Sequence, residues 1–335
     1  MTPPGGLLIY GTGNVGCRVA RLADERGWRV AGAVNRDGPK VGQDLGILAG
    51  LADPLGVTIL PPDRLAEAAS DADIAVVGIG DRLSGNFDHY KTLMEAGLNI
   101  ICAGCEASDP WVVPGGLADE LDSLAKARGV TLTGTGFQDP YRISLVRVLA
   151  GPCGTLRSIS HESRVDVSVH GAEASRLCGV GLTPAEFAEK FVSETRVISF
   201  YRLFIEQAAR AVGLSPMRVT ETVEPTLSNV PLPCPALGST IAPGSPTGSR
   251  AMTEIETAEG VRVSAVNELR LFSEGETEIL SWEIDGEPPA RAELTGLDSS
   301  IGTAAAIVAR IPDVLAAPPG IVTIDKLPPL TRIPA

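Results

Sequence analysis

Through the first 135 residues, short apolar runs alternate with segments whose apolar residues recur every three to four positions. That arrangement builds a parallel sheet covered by helices. Leu7 to Tyr10 reads as a first strand, and a helix follows from Asn14, with Val15, Val19 and Leu22 on one face and Gly27 as its stop. Val30 to Val34 is a second strand, Val57 to Leu60 an added one, and Asp63 to Ala69 a short capped helix. Ile74 to Ile79 is the third main strand. The next helix carries Phe87, Tyr90, Leu93 and Met94 and stops at Gly97; Leu98 to Ala103 is the fourth strand. Leu117, Leu121 and Leu124 stripe a helix ending at Gly129, and Val130 to Thr133 is the fifth strand.

From about Gln138 the texture changes. Ile159 to Val169, Val261 to Leu271 and Thr277 to Ile284 alternate apolar and polar residues, as antiparallel strands do. Helices are expected over Pro184 to Val192 and Phe200 to Val212, the second with Phe204, Ile205 and Ala208 on one face. Residues 225–250, rich in proline, read as a long loop or lid, or as edge strands. Ile301 to Ile311 is helical by period, and Pro318-Pro319-Gly320 is a break.

Length and composition narrow the class. A chain of 335 residues exceeds one usual core and leads to the expectation of two domains. The sequence is 44% hydrophobic and 21% charged, and we expect no apolar run of roughly 18 residues that could span a bilayer. Residues 1–6 lead into the first strand without a basic region or cleavage site, so a cytoplasmic location is expected. A net charge of −13 with scattered Lys and Arg argues against nucleic acid as a partner, and no membrane partner is expected either. The six cysteines read as reduced thiols. Cys102 and Cys105 form a C-x-x-C, but no second such pair exists, and the histidines at 89, 161 and 170 are far away in sequence. The pair therefore reads as small apolar residues at a strand end, and no metal site is expected.

Gly11-Thr12-Gly13-Asn14-Val15-Gly16 is a G-x-G-x-x-G directly after a strand and opening a helix. There the glycines permit a tight turn, close approach to a pyrophosphate and helix packing, while the helix N-terminus attracts the anion. The expected architecture is α/β, a Rossmann domain with a parallel sheet over 1–137 and a second α+β domain with a mostly antiparallel sheet over 138–300. Residues 301–335 would form a helix and tail returning to the first domain. At the tip of the second strand, where an acid would grip the ribose of NAD, stand Asn35 and Arg36. Arg36 can pair with a 2′-phosphate and Lys40 adds charge, which favours NADP; Asp37 keeps NAD possible.

In an open parallel sheet the ligand crevice lies beyond the carboxyl ends of the strands. The loops there are Gly78-Ile79-Gly80-Asp81 and Cys102-Ala103-Gly104-Cys105-Glu106. Small residues let the nicotinamide approach the backbone, and Glu106 is the carboxylate delivered into this crevice. As a residue in isolation it reads equally well as a plain surface glutamate.

These stretches, with Lys40-Val-Gly-Gln-Asp-Leu-Gly46, Gly134-Thr-Gly-Phe-Gln-Asp139 and Ala317-Pro-Pro-Gly-Ile-Val-Thr323, resemble a known family nearly end to end. It is that of the 2,4-diaminopentanoate dehydrogenases and native amine dehydrogenases, which share a dihydrodipicolinate-reductase type of N-terminal domain. The resemblance implies reversible reductive amination of a small ketone or aldehyde. Glu106 would orient ammonia or the amine and stabilise the iminium that receives hydride, in a homodimer. It also implies that Phe137, Gln138 and Tyr141 line the place where the first domain hands over to the second, with interdomain core as the alternative reading of Phe137 and Tyr141. His170 is a further candidate substrate contact, and also a candidate structural histidine.

The chain departs from the family at two places. Thr135 to Pro140 stands where many relatives carry a G-x-N-P-G-type turn, and Arg142 where some have tryptophan. Substrate identity is therefore left open. His161-Glu-Ser-Arg164 and His170-Gly171 do not reproduce the paired-histidine and lysine motif of true dihydrodipicolinate reductases. The alternatives to an amine dehydrogenase are a ketone or imine reductase on the same scaffold and a dinucleotide-binding regulator without turnover.

Overall fold

The computed structural model describes residues 5–80, 82–192 and 200–331. Residues 1–4, on which the reading of the N-terminus rests, and Asp81 of the third-strand loop lie outside them. The chain divides into two compact units, Met1–Pro140 with Ile301–Ala335, and Tyr141–Ser300.

The first unit is built on β1 (Gly6–Tyr10), α1 (Asn14–Glu25), β2 (Arg29–Val34), α2 (Leu45–Leu48), β3 (Ile59–Leu60), α3 (Leu65–Ala68), β4 (Ile74–Val77), α4 (Leu83–Glu95), β5 (Asn99–Cys102), α5 (Leu117–Arg128) and β6 (Thr131–Gly134). All strand pairs are parallel, in the order β6-β5-β4-β1-β2-β3. The order reverses beside β1, which is the Rossmann pattern and puts the crevice beyond the ends of β1 and β4. The strands read as unbroken apolar runs because both faces are covered. Leu8, Tyr10, Ala75 and Val77 pack under α4 and α5, while Leu7, Ile9, Ile74 and Val76 pack under α1. The helix expected over 63–69 is a 3-10 turn, Pro62–Arg64, followed by the single turn α3, and no side chain caps it.

The second unit holds α6 (Leu145–Ala150), β7 (Thr155–Asp166), α7 (Ala172–Leu177), α8 (Pro184–Val192), α9 (Phe200–Ala211), β8 (Pro216–Leu227), β9 (Leu232–Cys234), β10 (Ser239–Ile241), β11 (Pro246–Thr257), β12 (Arg262–Arg270), β13 (Glu278–Glu287) and β14 (Ala290–Leu297). Six strands form one sheet in the order β14-β13-β7-β12-β11-β8. The antiparallel reading needs one correction. β12 pairs with β7 in parallel, Arg262 beside Ser158 through Arg270 beside Asp166, so the two strands enter the sheet from the same end. The stretch 225–250 is not a loop or lid: it supplies the end of edge strand β8, the small hairpin β9-β10 and the start of β11. Its prolines fall at an edge and at strand ends, where a missing N–H costs no ladder bond.

The chain ends with α10 (Ser299–Ala316) and β15 (Gly320–Ile321), the latter pairing with β6 in the first unit's sheet. α10 corrects the expectation that no apolar run could span a bilayer, since its 18 residues have mean hydropathy 1.2. Half of it is buried, with Ala304, Ile307, Val308, Ile311 and Val314 packed against the strands on the α1 side. Arg310 on the same helix is fully buried and paired with Asp139, Nε to Oδ2 at 2.6 Å and Nη2 to Oδ1 at 2.8 Å.

Candidate active site

Each of the three glycines after β1 has its own physical reason. Gly11 sits at φ 98°, and a Cβ there would lie 2.4 Å from Ile79 Cγ2 and 2.8 Å from the Gly78 carbonyl oxygen. The turn after β1 is therefore pressed onto the loop after β4, as the switch point requires. A Cβ on Gly16 would lie 2.0 Å from the Gly11 carbonyl oxygen, so α1 can start only this close to the strand without a side chain. Gly13 meets nothing within 4 Å, and no side chain caps the helix it precedes. The N-terminus of α1 is thus left without a side-chain cap beside an open glycine, which suits a pyrophosphate. Thr12 Oγ1 is buried there with no hydrogen-bond partner, an orphaned polar atom that a bound phosphate oxygen would satisfy.

The residues at the tip of β2 hold this turn. Asn35 Oδ1 accepts from Thr12 N at 3.2 Å, and its Nδ2 donates to the Arg36 carbonyl at 3.2 Å. Lys40 Nζ donates to the Thr12 carbonyl at 2.6 Å, while Arg36 is exposed. In the same motif Asp44 accepts from Ile47 N, Leu55 N and Val57 N, each at 3.1 Å. Burial opposes ionisation of Asp44, but the backbone donors outweigh it and hold the carboxyl below its ordinary range. The K-V-G-x-D-x-G element therefore braces the turn after β1 through Lys40 and its own loop through Asp44.

Beyond β4 the loop Gly78-Ile79-Gly80 is tied down by Asn86 of α4, whose Nδ2 donates to the Gly80 carbonyl at 2.9 Å. Ala103, after β5, donates to the Val77 carbonyl at 3.2 Å and so lies beside the end of β4. Glu106 opens a 3-10 turn, Glu106–Ser108, that rests on β6: a Cβ on Gly134 would lie 2.3 Å from the Ala107 carbonyl carbon. The Glu106 carboxyl is 8% exposed. Its Oε2 accepts from Leu83 N at 2.6 Å, the first residue of α4, and its Oε1 lies 3.4 Å from Arg82 Nη1. The carboxylate thus sits at the positive end of a 13-residue helix, on the carboxyl edge of the sheet. Arg82 is about half exposed, so that ion pair contributes little.

Phe137 and Gln138 follow β6. Phe137 N donates to Thr303 Oγ1 at 3.3 Å, and Gln138 Nε2 donates to the Thr135 carbonyl at 2.9 Å; both side chains are buried in the first unit. In the second unit the Tyr141 carbonyl accepts from Trp282 Nε1 at 3.0 Å, and His170 Nε2 lies 2.7 Å from Ser299 Oγ. Cys102 and Cys105 are not joined in a disulfide, and Cys102 Sγ accepts from Tyr90 OH at 3.2 Å. Among the described residues no group of three His, Cys, Asp or Glu is placed to hold a metal.

Residues 143–334, more than half of the chain, match the family model of the 2,4-diaminopentanoate dehydrogenase C-terminal domain. The chain belongs to the 2,4-diaminopentanoate dehydrogenase family. It is 25% identical to 2,4-diaminopentanoate dehydrogenase of Acetoanaerobium sticklandii, over 96% of this chain and 93% of that protein. Its fold superposes on the amine dehydrogenase of Mycobacterium smegmatis with a TM-score of 0.93, at 34% identity over 98% and 97% of the two chains. A probable dehydrogenase from Thermotoga maritima, at 12% identity and TM-score 0.62 over 96% and 92% of the chains, shares the fold. This member of the family is accordingly an oxidoreductase of the dehydrogenase type.

Asn86 was missed as an organiser of the site. A buried Asn within an otherwise apolar helix stripe, six residues past the Gly78–Gly80 loop, was the available signal for Asn86. Thr12 lies in the glycine turn expected to hold the dinucleotide, but its orphaned hydroxyl arises only from tertiary burial.

Proposed function

We propose that the protein is an NADP-preferring, NAD-tolerant amine dehydrogenase performing reversible reductive amination of a small ketone or aldehyde with ammonia. The observation that carries this reading is Glu106: a carboxyl 8% exposed, fixed by a helix N-terminus, on the same sheet edge as the open glycine turn. Gly11 to Gly16, Asn35, Arg36, Lys40, Gly78 to Gly80 and Ala103 would hold the dinucleotide, which when bound supplies or receives the hydride. Phe137 and Gln138 are the proposed substrate-side residues of the first unit, Tyr141 and His170 those of the second.

The geometry divides the two oxygens of Glu106. Oε2 is committed to Leu83 N, which fixes the plane of the carboxyl. Among the described residues Oε1 meets only the long bond to half-exposed Arg82, so it is the oxygen that an ammonium or iminium can claim. A fixed carboxylate in a nearly dry position stabilises the cationic iminium without reorganisation and accepts a proton from ammonium, effects worth on the order of a hundredfold or more in rate. Arg36, exposed at the tip of β2, supplies the charge-assisted contact for a 2′-phosphate.

The test combines a ketone and aldehyde panel, with and without ammonium, and cofactor dissociation constants by fluorescence. Glu106→Gln should keep NADPH affinity and lose on the order of a hundredfold in ammonium-dependent turnover. Arg36→Ala should weaken NADPH roughly tenfold to a hundredfold and leave NADH unchanged. A turnover loss below about threefold in Glu106→Gln removes the central residue of this reading. Equal affinity for both cofactors in the unmodified protein removes the NADP preference. Turnover indifferent to ammonium would make the enzyme a carbonyl or imine reductase.

A further inference from the structure

Within the first unit, the buried residues of α4 are Leu83, Asn86, Tyr90, Leu93 and Met94, one stripe at helical spacing. Asn86, 5% exposed, stands where the stripe has room for an apolar residue. An amide buried there costs desolvation unless its polar atoms are used. Its Nδ2 is used twice, donating to the Gly80 carbonyl at 2.9 Å and to Tyr90 OH at 3.3 Å. Because a carbonyl only accepts, the orientation of the amide is fixed. Tyr90 OH then donates to Cys102 Sγ, the last residue of β5, at 3.2 Å. The loop after β4 and the end of β5 are thereby joined through one chain of polar atoms, whose Tyr90 and Cys102 are fully buried.

The same helix holds Glu106. Leu83 N, which donates to Glu106 Oε2 at 2.6 Å, and Asn86 are three residues apart, about 4.5 Å along the helix axis. The turn between them is closed by the bond from Asn86 N to the Arg82 carbonyl at 3.2 Å. Docking α4 on the sheet needs only the apolar stripe, and apolar packing is not directional. Hydrogen bonds are directional and short-ranged, so the two contacts at Leu83 and Asn86 fix where the helix start stands against the strand ends.

We propose that Asn86, backed by Tyr90, is a positioning residue that sets the spacing between the nicotinamide half of the cofactor and Glu106. This rests on the reading above, in which the Gly78–Gly80 loop takes the nicotinamide and Glu106 the reacting nitrogen. Asn86 acts through the Gly80 carbonyl rather than on the reacting atoms. The start of α4 is the ruler: the loop hangs from Asn86, the carboxylate from Leu83 N, and the helix backbone between them is rigid. Spacing of this kind acts on the rate, because a misplacement of about 1 Å between reacting groups costs on the order of a hundredfold. The adenosine half has other holders, the turn after β1 and the tip of β2, and the Asn86 side chain bonds to neither.

Asn86→Ala removes the donor to Gly80 without overfilling the site, and alanine favours the helix. Titration calorimetry on the full chain compares each reduced cofactor with its nicotinamide-free fragment, NADPH with 2′-phospho-ADP-ribose and NADH with ADP-ribose. In Asn86→Ala the reduced cofactor should bind about tenfold more weakly, as for the loss of one buried hydrogen bond, and the fragment within about twofold of the wild type. In ammonium-dependent turnover of the ketone panel, kcat should fall about tenfold or more with the ketone KM unchanged. Tyr90→Phe removes only a hydroxyl, should move the same readings in the same direction by about threefold, and covers the case that Asn86→Ala fails to fold. Equal weakening of cofactor and fragment makes Asn86 a general support of the first unit and overturns the proposal, as does a folded Asn86→Ala with unchanged kcat. A wild type that binds no reduced cofactor, or that turns over without regard to ammonium, overturns it together with the functional reading. Parallel losses in the variants beside normal wild-type turnover overturn the proposal alone.

Discussion

His161 lies on the inner face of β7, its ring centroid 4.2 Å from the Trp282 ring and its Nδ1 2.9 Å from the Ser281 carbonyl oxygen. Because a carbonyl only accepts, Nδ1 carries the proton. Burial, and then the charge of Arg142, lower its pKa from 6.5 to about 3. The unfolded chain binds this proton near pH 6.5 and the folded chain does not. The stability from the neutral ring is therefore complete above pH 6.5 and is lost as pH falls from there towards 3, with a slope approaching about 1.4 kcal/mol per pH unit. Between pH 7 and pH 5, denaturant midpoints of the wild type should fall more than those of His161→Gln; equal falls would dissociate His161 from the acid sensitivity. Glu106 shows the other side of the residue scale. Its place in the chain marked it as a candidate, but only the folded protein showed which of its oxygens Leu83 N occupies.

At the scale of elements, the turn from β1 into α1 separates folding from binding. Gly16 has a carbonyl oxygen 2.0 Å from where a Cβ would stand, whereas Gly13 has open space. Gly13→Ala should keep the melting temperature within a few degrees, a change under roughly 1 kcal/mol, and lose NADPH affinity by tenfold or more as the methyl occupies the anion's approach. Gly16→Ala should lower both, because the helix must move off the strand. Calorimetry paired with cofactor titration decides it: if Gly13→Ala binds NADPH as the wild type does, the open face of the turn is not the phosphate site. The motif was legible because its spacing survives in sequence; its pressure against Gly78 and Ile79 was not, since those residues are more than 60 positions away.

For the whole molecule, the first unit is closed only by the last stretch of the chain. α10 and β15 complete its core and sheet, and the Arg310–Asp139 pair, with both side chains 0% exposed, ties the helix to the segment after β6. Arg310→Met leaves the Asp139 carboxylate buried without its cation, and should cost about 3 to 5 kcal/mol. Adding Asp139→Asn should recover part of that loss; chemical denaturation of the single and double variants measures both, and an additive result would show the two residues uncoupled. The second unit's sheet carries α6 and α9 on the face of Trp282 and Ser249, while Arg250, Met252, Glu254 and Val266 alternate onto the other. A mixed apolar and charged sheet face of this kind is suited to a two-fold copy of itself, and we propose a homodimer through it. Light scattering at micromolar concentration should give twice the chain mass of 34.8 kDa, and the monomer mass would end the proposal.

The sequence by itself determined the local pattern: period-two and period-3.6 segments, the glycine turn, and the position of Glu106 one loop beyond a strand. These depend on neighbours within a few residues, where spacing and chemistry act directly. Pairing partners were decided only by the tertiary structure. Alternation in β7 and β12 specified which face is buried but not the direction of the neighbouring strand, which came out parallel. The prolines of 225–250 forbade central strands without excluding edges, and only the position of β8 at the sheet edge resolved that choice. The apolar α10 could equally have faced lipid; its place in the first unit rests on a buried ion pair with a residue 171 positions earlier, and no local pattern encodes a contact over that separation.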